Sequence, residues 1–293
     1  MSNGTIRLQK AARANNLCGG PAPRLAFLFR PHDNPPVMTT MSQPSDVDAA
    51  AAGPGSVLVT GASGGIGQAV SRALGSAGWC VGVHYHKGKA SAERILSEIE
   101  QTGGRGALYE ADVRHARSVE QMVNAFAQNH PPPLSFVCAA GISGGELVLR
   151  LQEHMWAEVM ATNLTGLFHC LRAMIPPLLG QGGGSIVVVG SYAGYQGAAG
   201  QAAYAASKAG QLGLVKTAAL EFGEENICVN LLWPGWQHTK LAEGAYPGKD
   251  GWRDHALRRS PALGEVVRTV VHLLQVKDVS GQIWNCDSRL LFL

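Results

Sequence analysis

Ser56-Val57-Leu58-Val59-Thr60-Gly61-Ala62-Ser63-Gly64-Gly65-Ile66-Gly67 is the stretch on which the fold turns. Its first five residues make the short apolar run that a strand covered on both faces requires. Glycines follow at once, and an apolar-periodic stretch through Leu74 then reads as a helix. Strand, glycine turn and helix N-terminus in that order form a cradle for a pyrophosphate. The glycines let the backbone come close, and the unpaired helix N–H groups attract the anion. Glycine-rich turns are common by themselves. The strand before this one and the helix after it are what favour a dinucleotide.

Working outward, strand-like runs recur at 79–86, 106–110, 134–137, 186–189 and 227–233, and helical patterns fall at 90–101, 119–128, 152–179 and 203–222. This alternation predicts an α/β fold, a Rossmann-type doubly wound, seven-stranded parallel sheet in a single domain over residues 55–293. Residues 1–54 read differently, rich in Pro, Ala and Gly and without period. They are expected to be a disordered or targeting extension. Arg7, Lys10, Arg13 and Arg24 precede any acidic residue, which fits organellar targeting by residues 1–37; a translation start at Met38 or Met41 fits as well.

Composition narrows the function classes. With 46% hydrophobic and 15% charged residues among 293, the chain can bury a substantial core and is not of disordered type. A net charge of +3 and the lack of a basic tract interleaved with aromatics argue against nucleic acid. The six cysteines include no Cys-x-x-Cys pair and read as core residues of a reducing compartment, so a cytoplasmic location is expected. No apolar run reaches the ~18 residues of a membrane span. His84 and His86 alternate along one strand, but two histidines without a third ligand do not make a metal site, and none is expected.

A second stretch carries chemistry: Ser191-Tyr192-Ala193-Gly194 and onward to Tyr204-Ala205-Ala206-Ser207-Lys208. Tyr204 and Lys208 share one face of the helix they open, so the ammonium can lie below the phenol. A phenol titrates near pH ~10, and a neighbouring cation is expected to favour the phenolate and ease proton exchange with an alcohol or ketone oxygen. Ser191 offers a hydroxyl to the same oxygen. A Tyr-x-x-x-Lys spacing alone arises often by chance, and it gains weight from the glycine turn upstream.

The Gly61-x-x-x-Gly65-x-Gly67 spacing, with Tyr204-x-x-x-Lys208 and Ser191 ahead of it, resembles the short-chain dehydrogenase/reductase family, 3-oxoacyl-acyl-carrier-protein reductases above all, over roughly Ser56 to Ser288. The resemblance implies a catalytic set of Asn163, Ser191, Tyr204 and Lys208. It places the cofactor on Gly61, Ser63, Gly64, Gly65, Ile66 and Gly67, on Asp112 and Val113 beside the adenine, and on Ala140 and Gly141. Tyr204 and Lys208 would also touch the cofactor, with Pro234, Gly235 and Thr239 at the nicotinamide. No acidic residue follows the second strand; His86, Lys87 and Lys89 cluster there with Ser63 nearby, which favours NADPH over NADH. The sequence departs from the family pattern where Cys138 and Ala139 replace two Asn, where Gly64 stands in for a frequent Arg, and from Ser280 to Ser288.

The implied reaction is reduction of a ketone to a secondary alcohol, with a 3-oxoacyl thioester on an acyl carrier protein as first choice, as in fatty acid synthesis. Ser191 would hold the carbonyl oxygen and Tyr204 protonate it. Lys208 would lower the Tyr204 pKa and bind the nicotinamide ribose, while Asn163 supports a proton-refilling water chain. A homo-oligomer, dimer or homotetramer, is implied, and Lys240 to about Ser260 falls where the family has a substrate-covering lid. The alternatives are a reductase of free carbonyl compounds or dehydrogenase of secondary alcohols, and a non-catalytic NADP-binding subunit or redox sensor.

Overall fold

In a computed structural model describing residues 54–242 and 250–290, the apolar runs line up as one parallel sheet. Its strands are β1 (Ser56–Thr60), β2 (Cys80–Tyr85), β3 (Arg105–Glu110), β4 (Leu134–Cys138), β5 (Gly184–Val189), β6 (Ile227–Trp233) and β7 (Ile283–Asn285). Between them run α1 (Gly65–Ser76), α2 (Lys89–Gln101), α3 (Ala116–Asn129), α4 (Glu153–Met160), α5 (Gly166–Gly180), α6 (Ala193–Gln196), α7 (Ala202–Phe222) and α8 (Leu263–Gln275). The strand order is β3-β2-β1-β4-β5-β6-β7. Order therefore reverses between β1 and β4, and a ligand crevice opens beyond the strand ends at such a switch. Register aligns those ends: Thr60 pairs with Cys138, and Cys138 with Val188. This is the Rossmann-type, seven-stranded single domain that the alternation predicts.

The sheet is covered on both faces, which explains why β1 and β4 are buried at every position and read as unbroken apolar runs. On one face Phe136 and Val188 pack with Phe126 of α3, Met174 of α5 and Val215 of α7. On the other, Val59 and Val187 meet Leu74 of α1, Ile95 of α2 and Val270 of α8. Each large side chain so buried contributes about 1.5–3 kcal/mol relative to exposure.

Several elements differ from the sequence expectation. The long helix foreseen over 152–179 is α4 and α5 joined through a π-helical turn, Ala161–Thr165. A π turn inserts a residue into the helical ladder, which period counting does not detect. Helix α8 escaped the sequence reading, although Val266, Val267, Val270, Leu273 and Leu274 are its buried stripe. The expectations for residues 1–53 and for the stretch 243–249 concern parts of the chain outside the described residues. Among the described residues no helix is long and apolar enough to cross a membrane.

Candidate active site

The glycine turn is shaped by what it touches. Gly61 has φ 68°, and a Cβ there would come within 2.8 Å of the Ala139 carbonyl oxygen, so the turn packs on the end of β4. A Cβ on Gly67 would lie 2.3 Å from the Gly61 oxygen, which keeps α1 close to the turn. Gly64, by contrast, faces open space. It caps α1 with no side-chain hydrogen bond, and the first turn holds no acidic residue. Free N–H groups, open space and no competing carboxylate fit an anionic pyrophosphate. Ser63 anchors the loop from its far side: its carbonyl accepts from Gln68 Nε2 at 3.1 Å and from Ser91 Oγ at 2.8 Å. Ile66 packs against the apolar cluster under α1.

His84, weighed in the sequence only as a metal ligand, has a different task. It is 3% exposed, its Nδ1 accepts from the Gly61 amide at 2.9 Å, and its Nε2 lies 3.1 Å from the Ala111 oxygen. With Nδ1 accepting, the proton sits on Nε2 and is donated to Ala111. Burial lowers the imidazole pKa to about 4, so the ring is neutral at pH 7. The signal was present: a polar ring one position before the end of a buried strand that pairs with β1.

At the rim beyond β2, His86 and Lys87 are exposed, and His86 Nε2 stands 3.7 Å from Asp112 Oδ2. Asp112 accepts two bonds from Arg114 Nε, both 3.0 Å, one from Arg114 Nη2 at 2.7 Å and one from the Arg114 amide at 3.0 Å. That guanidinium holds the carboxyl well below the usual carboxylate range. Val113 does not face this rim; it is buried, and a Cβ on Gly166 would come 2.9 Å from its side chain.

The reactive cluster lies beyond β5. Ser191 follows that strand, and a Cβ on Gly194 would come 2.5 Å from the Lys208 backbone, so the Ser191 loop is pressed onto α7. The neighbouring Ser191 hydroxyl pulls the Tyr204 pKa down, but burial is the larger effect and the net shift is upward. Lys208 Nζ donates to the Val189 oxygen at 2.8 Å and to Gln211 Oε1 at 3.3 Å, and it lies 5.7 Å from the centre of the Tyr204 ring. Burial lowers this amine to about pH 8, with Cys138 opposing. The expectation that Lys208 depresses the Tyr204 pKa is therefore corrected. The amine spends its donors on other oxygens, and desolvation of the phenol is the larger effect.

Asn163 sits in the π turn and is 1% exposed. Its Oδ1 accepts from the Ile142 amide at 2.8 Å, while Nδ2 donates to the Ile142 oxygen at 2.9 Å and to Ser207 Oγ at 3.0 Å. Its backbone oxygen accepts from Gln211 Nε2 at 2.7 Å. Asn163 thus buttresses the loop after β4. Gly141 is in that loop, where a Cβ would lie 3.2 Å from Asn163 Oδ1 and 4.0 Å from Lys208 Nζ. Ala140 donates its amide to Thr60 Oγ1 at 3.3 Å, and Thr60 Oγ1 reaches the Val137 oxygen at 3.5 Å. Thr60 supplies a tie between β1 and β4 without the two replaced Asn. Cys138 is a neutral thiol, raised by burial and by its neighbour Cys170.

Beyond β6, the Thr239 methyl lies 3.2 Å from where a Cβ on Gly65 would stand, so this loop folds over the glycine turn. Pro234 and Gly235 are held by the segments that follow. Pro234 oxygen accepts from Gln237 Nε2 at 3.0 Å, and Gly235, φ 65°, packs on Pro261 and Asp287. The described part of the lid region docks on the C-terminal segment: Ala256 donates to the Ser288 oxygen at 2.8 Å, and Arg289 stacks 4.0 Å over Tyr192. A separate cavity of about 460 Å³, lined by His238, Arg259, Glu265 and Cys286 among others, touches none of Ser191, Tyr204, Lys208 and Asn163.

This geometry can be set beside known proteins. The family described as short chain dehydrogenase matches residues 56–250. A 3-oxoacyl-[acyl-carrier-protein] reductase FabG of Staphylococcus aureus is 38% identical over 234 residues, 78% of this chain and 94% of that protein. The FabG of Staphylococcus epidermidis is 34% identical, covering 78% and 95%. Among solved structures, a variant of actinorhodin polyketide ketoreductase with NADPH superposes with a TM-score of 0.74 at 30% identity, over 80% of this chain and 95% of that one. A glycine turn open at α1, a tyrosine over a buried lysine on α7 and relatives of this kind lead to one conclusion: the chain belongs to the short-chain dehydrogenase/reductase family, close to the 3-oxoacyl-acyl-carrier-protein reductases, and is a nicotinamide-dependent oxidoreductase acting on CH–OH groups.

Proposed function

We propose that the protein reduces a 3-oxoacyl thioester, carried on an acyl carrier protein, to the 3-hydroxyacyl product with NADPH. The observation that carries this reading is the buried Lys208 amine, held by the Val189 oxygen at 2.8 Å and 5.7 Å from the centre of the Tyr204 ring on the same helix. Burial keeps the Tyr204 phenol protonated at neutral pH, which makes it a proton donor and suits the reductive direction. Ser191 holds the ketone oxygen, and Tyr204 delivers its proton there as negative charge develops. Lys208, with a pKa near 8, is largely cationic at pH 7, with two of its three N–H groups held by Val189 and Gln211. The Gly61–Gly67 turn receives the pyrophosphate, and Thr239 closes over it. When bound, the nicotinamide supplies the hydride to the ketone carbon.

NADPH is favoured because His86, Lys87 and Lys89 gather beyond β2, while Asp112, the carboxylate beside them, is already held by Arg114. The acyl-carrier substrate is supported by the names of the relatives and by the exposed cations Arg253, Arg258, Arg259 and Arg268, which suit an acidic carrier. A homo-oligomer is supported by Trp156 of α4, Phe168 of α5 and Leu220 of α7, which are 42%, 44% and 85% exposed. Static light scattering at a dimeric or tetrameric mass agrees with it, and a monomer at micromolar concentration contradicts it. For the reaction, NADPH oxidation against a panel of 3-oxoacyl thioesters, simple ketones and quinones is the test. A thioester preference above tenfold in kcat/KM, about 1.4 kcal/mol, is expected. Equal rates with free ketones would replace the acyl-carrier assignment.

A further inference from the structure

Gln211 lies one helical turn beyond Lys208 on α7, is 2% exposed, and belongs to none of the motifs that identify the site. Both ends of its side chain are used. Oε1 accepts from Lys208 Nζ at 3.3 Å, and Nε2 donates to the Asn163 backbone oxygen at 2.7 Å. An apolar residue would pack equally well in a helix interior. A primary amide buried to this extent costs free energy unless both ends are satisfied, and here its two partners are the amine and the π-turn carbonyl.

We propose that Gln211 is a positioning residue of the reaction, one that ties the Lys208 amine to the Asn163 carbonyl through protein rather than through exchangeable protons. The proposal rests on the assignment of Tyr204 and Lys208 given above. Two consequences follow from the chemistry of an amide. Its oxygen only accepts and its nitrogen only donates, so it does not hand a proton from Lys208 to Asn163 as a hydroxyl or water does. The Gln211 bridge itself therefore relays no proton between Lys208 and Asn163, and a proton that refills Tyr204 travels by the third N–H of the amine or another route. Secondly, the amide dipole points its negative end at the amine and, with the Val189 carbonyl, fixes two of its three N–H groups. The titratable groups facing Lys208 are Tyr204 on its own helix and Cys138 at the end of β4, the latter beside Cys170 of α5 and kept neutral by burial. Gln211 is the side chain that offers the amine an oxygen.

The test compares Gln211→Glu and Gln211→Met with the wild type in the full chain, reading melting temperature, NADPH KM and the pH dependence of kcat. The isosteric carboxylate favours the ammonium and is expected to move the limb near pH 8 upward by about one unit or more. The thioether removes the oxygen and is expected to move that limb down, with kcat at pH 8 reduced about tenfold and KM changed less. If both variants melt like the wild type and keep its pH limb, the proposal is wrong. If neither folds, Gln211 is a packing residue and the proposal is equally wrong. A Tyr204→Phe control separates the levels. Activity retained there rejects the assignment of the site itself, whereas an inactive control beside an unmoved limb rejects only the role of Gln211.

Discussion

The Gly61 amide donates to His84 Nδ1 at 2.9 Å, which fastens the first glycine of the turn after β1 to the neighbouring strand. The same ring reaches the Ala111 oxygen at 3.1 Å, so one side chain spans from β1's turn to the end of β3. Replacing His84 by Leu strands a buried donor and a buried acceptor. A loss of about 2–4 kcal/mol in urea denaturation is expected, at about 1–3 kcal/mol per unsatisfied group. Cofactor affinity by calorimetry should weaken at least fivefold. A variant as stable as the wild type with unchanged affinity contradicts this role.

His84 also sets a pH window. Its folded pKa, about 4, lies below the ordinary 6.5 because burial disfavours the charged ring. The unfolded chain therefore binds the proton more readily between those values, and stability falls as pH drops below 6.5 toward 4, with no contribution above 6.5. Between pH 7 and pH 5 the wild type should lose on the order of 2 kcal/mol from this residue. Urea midpoints of wild type and His84→Phe at both pH values check it; parallel losses in the two proteins count against it.

Asn163 satisfies both backbone groups of Ile142 and donates to the Ser207 hydroxyl, while Gly141 packs against its amide. Asn163→Leu leaves the Ile142 amide and carbonyl without these partners, while the Ser207 hydroxyl keeps its bond to the Tyr204 backbone oxygen. A loss of about 3 kcal/mol is expected, with slackening of the loop after β4. Hydrogen exchange at the Ile142 amide should accelerate, and unchanged protection there excludes the buttress.

The proposed preference for NADPH rests on charge at the rim of β2. Exchanging His86 for Asp and Lys87 for Glu places carboxylates where a 2′-phosphate is expected. The ratio of kcat/KM for NADPH over NADH should fall at least tenfold, about 1.4 kcal/mol. A ratio that stays constant removes these residues from the selectivity.

Much of this was legible in the sequence because it is local. The run Ser56–Thr60 with its glycines, and the pairing of Tyr204 with Lys208 on one helix face, follow from periodicity and spacing alone. What was not legible depends on contacts between distant segments. His84 meets Gly61 only once β2 lies beside β1, and Gln211 reaches Asn163 only across the α7 and π-turn packing. The π turn itself leaves the apolar pattern of 152–179 unbroken, so the sequence reads through it. The direction of the Tyr204 shift also had to await the fold, because burial is a property of the assembled crevice and outweighs the lowering by Ser191.

Turnover by Tyr204→Phe, measured as NADPH oxidation with a 3-oxoacyl thioester alongside NADPH binding, bears most directly on the assignment of this crevice. Binding within about threefold of wild type and a kcat reduced by about a thousandfold or more is the expected result, equivalent to roughly 4 kcal/mol of lost transition-state stabilisation. Turnover retained at a tenth or more of the wild-type rate would contradict it.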